Sequence, residues 1–254
     1  MSDEVISAAS LKTEKPKDKE MYYKSSGFYD LLNSQKNYGE EVDRLLAKIE
    51  QHKRSAGNRL LDIACGTGEH VAFLSKKMDC EGLDVDPEFV KLSKEKLPQL
   101  TFHVGDMTTF KLSGKYDVVT CLFSSIGYVK TKETLKSTIQ NMAEHLVPSG
   151  LLVIEPWYTK QTFKCGHSTV VVEETEQCKI VRMNLWKGTD DLALGHSHIL
   201  VMDEAGIVHI EELHELALFT NEEYTAAMEE AGLEVHYDEY GLIGRGLFVG
   251  IKQP

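Results

Sequence analysis

Residues 60–77, LLDIACGTGEHVAFLSKK, set two glycines between a short apolar run and a stretch of helical periodicity. RLLDIAC reads as a buried strand and GEHVAFLSKK as the helix that follows it. Gly66 and Gly68 fall where the chain turns from one to the other. Glycine supplies the positive φ and the close ligand approach that such a turn requires. The helix N-terminus beyond it offers unpaired N–H groups and a partial positive charge. The next apolar run ends in LDVD, placing Asp84 18 residues past Gly66. A carboxylate at that spacing can accept both hydroxyls of a ribose. A dinucleotide turn carries a third glycine, GxGxxG, and here that position is Val71. GxG alone is equally consistent with a plain strand-to-helix turn, so the surrounding chain has to decide.

Downstream, the alternation continues. CEGLDVD, LTFHVGD, YDVVTCLF and GLLVIEPW read as strands. PEFVKLSKEKL, with Pro87 at its first turn, and KETLKSTIQNMAEHL read as helices between them. Strands separated by helices of this length predict a parallel sheet with right-handed crossovers. Upstream, Val42, Leu45, Leu46 and Ile49 mark one face of a helix, and Tyr22, Tyr23, Tyr29 and Tyr38 crowd the segment leading into it. Residues 158–217 break the rhythm: their Val-, Ile- and Thr-rich runs are joined by hairpin turns, with no helix between them. The α/β pattern resumes in TNEEYTAAMEEAGLEV, which opens on a capping box of Thr220 and Glu223. EVHYDEY and GLFVGIKQ close the chain as a hairpin-like pair. The expected fold is α/β: a doubly wound, mostly parallel, seven-stranded Rossmann-like sheet formed by residues 21–157 and 218–254. Residues 158–217 form an inserted antiparallel β cap over the active site, and residues 1–20, polar and of mixed charge, form a disordered tail.

The net charge of −12 disfavours nucleic acid, because phosphate binding needs clustered Lys and Arg. The five cysteines are widely spaced with no CxxC pair, which argues against both a disulfide framework and a zinc site. No run reaches the roughly 18 apolar residues of a membrane span. The opening residues lack the apolar core of a secretory signal, so a cytoplasmic protein with a small-molecule substrate is expected.

Asp62 before the turn, GxG within it, Asp84 at the second strand end and Gly105-Asp106 after the third form a set. This set resembles the class I S-adenosylmethionine-dependent methyltransferases over about residues 58–156. The resemblance implies cofactor contacts from Tyr38, Ala64, Cys65, Gly66, Gly68, His70, Asp84, Val85, Asp106, Met107 and Phe123. Turn 64–68 would lie against the methionine part, Asp84 would hold the ribose hydroxyls, and Asp106 and Met107 would meet the adenine. CLFSS would line the methyl-bearing sulfonium. The ligand is then a nucleoside with an amino-acid arm and no pyrophosphate.

TCLFSSIGYV (120–129), VIEPWY (153–158), EELHELALFT (211–220) and IGRGLFVG (243–250) are similar to the N,N-dimethyltransferases of dTDP-linked 3-amino deoxysugars. That family has His after SSIG, near the reacting amine; here the position is Tyr128. Tyr22, Tyr128, His214 and Arg245 are the substrate-pocket candidates, with Arg245 placed to meet an anion. Tyr22 and Tyr38 either fold over the cofactor or stabilise the helix they lead into. His214 faces either the pocket or solvent. Trp157, at the end of the fifth strand, walls the pocket or packs under the cap. His196 and His198, two apart on a strand, can share one face, but a metal there needs further ligands and none is assigned. The expected reaction is N-methylation of an amine, either free or nucleotide-linked, by a monomer or homodimer. The alternatives are O-methylation of another small metabolite, a nicotinamide-dependent oxidoreductase, and a non-catalytic cofactor-binding protein.

Overall fold

The computed structural model describes residues 26–189 and 191–254. The expected tail 1–20 and the candidate Tyr22 lie outside the described residues. The chain builds two sheets. In the larger, β1 (Arg59–Ile63), β2 (Asp79–Asp84), β3 (Thr101–Val104), β4 (Tyr116–Cys121) and β5 (Leu146–Ile154) run parallel, in the order β3-β2-β1-β4-β5. The four strands of the smaller sheet, in chain order, are β6 (Ser168–Glu174), β7 (Lys179–Gly188), β8 (Leu192–Asp203) and β9 (Gly206–Ala217), each antiparallel to its neighbour. The larger sheet is completed by the closing hairpin β10 (Leu233–Asp238) and β11 (Leu247–Lys252), with β11 antiparallel to β5.

The helices are α1 (Tyr29–Leu32), α2 (Tyr38–His52), α3 (Glu69–Leu74), α4 (Pro87–Lys96), α5 (Lys132–Glu144) and α6 (Asn221–Glu230). Their starts follow the sequence signals. Asp86 caps α4 by accepting the Glu88 N–H, with Pro87 at the first turn. Thr220 and Glu223 form both bonds of the capping box on α6. α2 buries Val42, Leu45 and Ile49. Beneath the glycine turn Val71 is fully buried, so the position that a dinucleotide fold gives to glycine is here a core side chain.

The central strands of the larger sheet are largely apolar and buried because helices cover both faces; every residue of β4 is buried. The smaller sheet instead alternates, since one face looks onto the larger domain and the other outward. Its inner face carries Ile180, Ile199, Val201 and Ile210, which close a third core cluster around Leu32 of α1. α1 is thus the wedge between the two sheets. β5 starts earlier than the sequence suggests, at Leu146, and its register against β4 shifts between Tyr116 and Val118. Among the described residues no helix is long and apolar enough to cross a membrane. Cys65, Cys80 and Cys121 are buried free thiols, while Cys165 is exposed.

Candidate active site

Parallel strands of an open α/β sheet present their ligands at the carboxyl ends, and strained backbone collects there. Ala64, Gly66 and Gly68 after β1 all have positive φ, as do Phe123 and Ser124 after β4. Gly66 has only Tyr29 near its missing Cβ, at 3.9 Å, so the backbone there is open to close approach. Its N–H donates to Asp84 Oδ2 at 2.7 Å, and the Asp86 N–H donates to Oδ1 at 3.0 Å. Asp84 is therefore fixed across the turn. Burial raises its pKa, and these backbone donors pull it back.

A narrow slot runs along this turn, lined by Tyr38, Ala64, Cys65, Gly66, His70 and Phe123 among others. Asp62 forms its floor. Its Oδ1 accepts the Thr120 hydroxyl at 2.6 Å, and burial pushes its pKa up to about 6. The Cys65 sulfur packs toward Gly82 and burial raises its pKa, so the thiol is inert. Gly68 turns the chain into α3 and faces Leu97 and Phe102. Val85 is exposed just past Asp84, and the Gly105 N–H bonds the Asp84 carbonyl, bringing Asp106 alongside. Asp106 is exposed; its carboxylate accepts the backbone N–H and hydroxyl of Thr108, each at 2.8 Å. Met107 packs against the core.

Lys36 sits at the mouth of the slot and was not evident from the sequence. Its ammonium lies 4.3 Å from the Tyr38 ring centre and 4.6 Å from that of Phe123. It is ion-paired with Glu41, whose carboxylate also meets His70 Nε2 at 2.9 Å. Burial lowers the Lys36 pKa against the pull of Glu41.

Beyond Phe123 the slot meets a cavity of about 550 Å³ under the smaller sheet. Arg245 stands on one wall. It donates to the Ser124 hydroxyl at 2.8 Å and lies 5.2 Å from the Trp157 ring and 5.4 Å from the Tyr158 ring. Ser124 in turn donates to the Pro156 carbonyl at 2.9 Å. Behind Arg245 is Glu155, fully buried, which accepts the Phe123 N–H at 2.7 Å and so holds the strained turn. Burial raises the Glu155 pKa, and Arg245 and Lys36 lower it. Glu155 Oε1, Trp157 Nε1 and Arg182 Nε have no hydrogen-bond partner among the described residues.

The smaller sheet supplies the roof. Thr169, Asn184, Ser197 and Glu212 form a row across all four strands, joined by Asn184 Nδ2 to Thr169 at 3.1 Å and by Ser197 to Asn184 Oδ1 at 2.7 Å. Trp186 lies across Gly195, where a Cβ would stand 2.6 Å from the indole. Of the two orientations open to His214, the inward one is adopted. Its Nδ1 is 3.0 Å from the Tyr128 hydroxyl and its Nε2 is 3.6 Å from Glu212. An imidazole therefore does stand beside position 128, brought from β9 instead of from the turn itself.

The sheet order, the glycine turn after β1 and the carboxylate fixed across it define a fold that binds an adenosyl cofactor, that of the class I methyltransferases. Residues 60–150 match the methyltransferase-domain family. A dTDP-3-amino-3,4,6-trideoxy-α-D-glucopyranose N,N-dimethyltransferase of Streptomyces venezuelae is 36% identical over 227 residues, 88% of this chain and 95% of its own. The sugar N-methyltransferase of a Streptoalloteichus species superposes with a TM-score of 0.87 at 31% identity, covering 96% of this chain and 99% of its own. A S-adenosylmethionine-bound amino-pentose methyltransferase of Micromonospora echinaspora gives 0.78 at 33%, over 87% and 94%. The chain belongs to the S-adenosylmethionine-dependent methyltransferases, in the group of the dTDP-amino-deoxysugar N,N-dimethyltransferases.

Proposed function

We propose that this enzyme transfers methyl from S-adenosylmethionine to the amine of a nucleotide-linked amino deoxysugar. One observation carries the reading. A single cavity presents two guanidiniums, Arg182 and Arg245, together with the Tyr128–His214 pair, and it abuts the glycine turn through Phe123. The guanidiniums suit a diphosphate, the indoles of Trp157 and Trp186 give flat apolar walls, and the phenol–imidazole pair suits an amine that must shed a proton.

The cofactor fits the slot by its chemistry. Asp84 keeps unused lone pairs for two ribose hydroxyls, and the Asp62 carboxylate matches the ammonium of the amino-acid arm. Bound there, it supplies a methyl group on a sulfonium, activated for in-line displacement. The protein's share is orientation, worth roughly 7–11 kcal/mol when reacting groups are held in line. The row from Thr169 to Glu212 and the Trp157–Trp186 walls position the sugar and exclude water. For the proton, the Tyr128 oxygen accepts it from the substrate ammonium as the Tyr128 proton passes to His214 Nδ1. The resulting imidazolium faces Glu212. No stronger base is needed, because burial already disfavours the charged amine.

The test is to incubate the enzyme with S-adenosylmethionine and a panel of dTDP-3-amino and dTDP-4-amino deoxysugars, simple phenols and small acids. Mass spectrometry reads the added methyl groups. Turnover of a phenol or acid, with none on any amino sugar, would replace this reading by O-methylation.

His214→Ala should lower kcat by about a hundredfold near neutral pH, at the lower end of the range of general base catalysis. The deficit should shrink at alkaline pH, where the amine arrives uncharged. A deficit equal at every pH would argue against a proton route through the imidazole.

Cofactor affinity should also depend on pH through Asp62. In the free protein its carboxyl is protonated below about pH 6, held there by burial with a smaller push from the Asp84 carboxylate, and moderated by His70 and Thr120. An ammonium ligand needs the carboxylate, so binding costs a proton below that pH. Affinity should fall by up to about tenfold per pH unit as pH drops beneath 6. Asp62→Asn should flatten that slope in calorimetric titrations with S-adenosylhomocysteine.

A further inference from the structure

The outward face of the smaller sheet, remote from the methyl-transfer cavity, holds a second cluster of chemistry-bearing side chains. His196 and His198 alternate along β8 and share this face. Strand register sets Glu211 of β9 opposite His198 and His209 opposite Leu200. Glu211 and His209 are themselves two apart, so all four side chains project to one side. The contacts follow. His196 Nε2 lies 2.5 Å from Glu211 Oε1, and His198 Nδ1 lies 2.9 Å from His209 Nε2. The His196 and His198 rings are 4.5 Å apart, and those of His198 and His209 are stacked at 5.1 Å. Ligand atoms of His196, His198 and Glu211 all fall within 4.8 Å of one another.

We propose that His196, His198 and Glu211, with His209 as the fourth ligand, form a binding site for a borderline divalent cation of the Zn²⁺ class. The donor set suits that ion: imidazole nitrogen and carboxylate oxygen bind it at about 2.0–2.2 Å with tetrahedral preference. Ligand atoms around such an ion stand about 3.3 Å apart, twice the bond length times the sine of half the tetrahedral angle; those of His196, His198 and Glu211 already lie within 4.8 Å of one another, and His209 joins them through its contact with His198. The setting is a second, independent indication. The cluster is ringed by Met183, Leu185, Leu200 and Leu213, each more than a third exposed. An apolar ring around a polar centre restricts water at a metal and strengthens its bonds.

The experiment is calorimetric titration of the full chain, freed of metal with chelator, with ZnCl₂ alone. Wild type should bind one equivalent per chain. His198→Ala and Glu211→Gln should each weaken binding by about tenfold or more, since even an outer partner of a metal ligand contributes that much. Co²⁺ in place of Zn²⁺ should give wild-type protein the visible absorption of a four-coordinate ion. Both variants keep the methyl-transfer cavity, and their activity without metal should equal that of wild type, which also shows that they fold. Absence of saturable binding to wild type overturns the proposal. So does binding that survives unchanged in both variants, which would put the metal elsewhere, and so does half an equivalent per chain, which would mean a site shared between copies. None of these results bears on which acceptor is methylated.

Discussion

Asp84→Ala should weaken cofactor binding by roughly 10²- to 10⁴-fold. The carboxylate is placed to accept two ribose hydroxyls, and hydrogen bonds to a charged group contribute about 1.5–3 kcal/mol each. The substitution has a second effect. Gly66 and Asp86 lose the acceptors of their backbone N–H groups, so the turn loses the anchor that keeps it shaped for the nucleoside. Asp84→Asn keeps the volume and one acceptor oxygen and should fall between the two. Titration with S-adenosylhomocysteine measures all three proteins. A dissociation constant unchanged in Asp84→Ala would remove the ribose assignment, and with it the reason for reading this turn as an adenosyl site.

Arg245→Met is expected to damage both stability and turnover. The guanidinium is the largest favourable charge acting on Glu155, which has no exposure at all. The two groups do not form a contact ion pair, so the loss should stay below the roughly 3–5 kcal/mol of breaking one, and Lys36 remains to limit it further. On the substrate side the change removes one of two cavity guanidiniums, so kcat/KM should fall by about 10²- to 10³-fold, comparable to losing a buried charge-assisted contact. The double variant Arg245→Met/Glu155→Gln separates the effects. It should recover most of the thermal stability, because no uncompensated carboxylate is left, and it should recover little of kcat/KM. If activity returned together with stability, Arg245 would serve the fold and not the acceptor.

How much of this was legible in the sequence depended on whether the signal was local. The glycine turn, Asp84 and the Thr220–Glu223 box are written into a few consecutive residues, and the structure has the turn between strand and helix, Asp84 at a strand end and the box at a helix start, where the sequence placed them. The central parallel strands were legible because burial on both faces makes them largely apolar. Arg182, Asn184 and Glu212 were not singled out. Alternation along an isolated strand gives two faces but not which one meets the core, and only the sheet register fixes that. The same limit applied to His196 and His198, whose spacing was plain while Glu211 and His209 became neighbours only through pairing of β8 with β9. Glu155 was not singled out either; its role follows from the fold bringing Arg245 from 90 residues away. Lys36 and Tyr29 belong to a segment with too little periodicity to assign a face.

Tyr29 lines the slot and the cavity alike, and Leu32, three residues on, is packed into the smaller sheet. The two chambers therefore share one wall. Any factor by which the nucleoside alters the grip on the sugar must, by the closure of the thermodynamic cycle, be the factor by which the sugar alters the grip on the nucleoside. Whatever the size of that factor, a four-residue helix is the element that borders both chambers and through which it would pass.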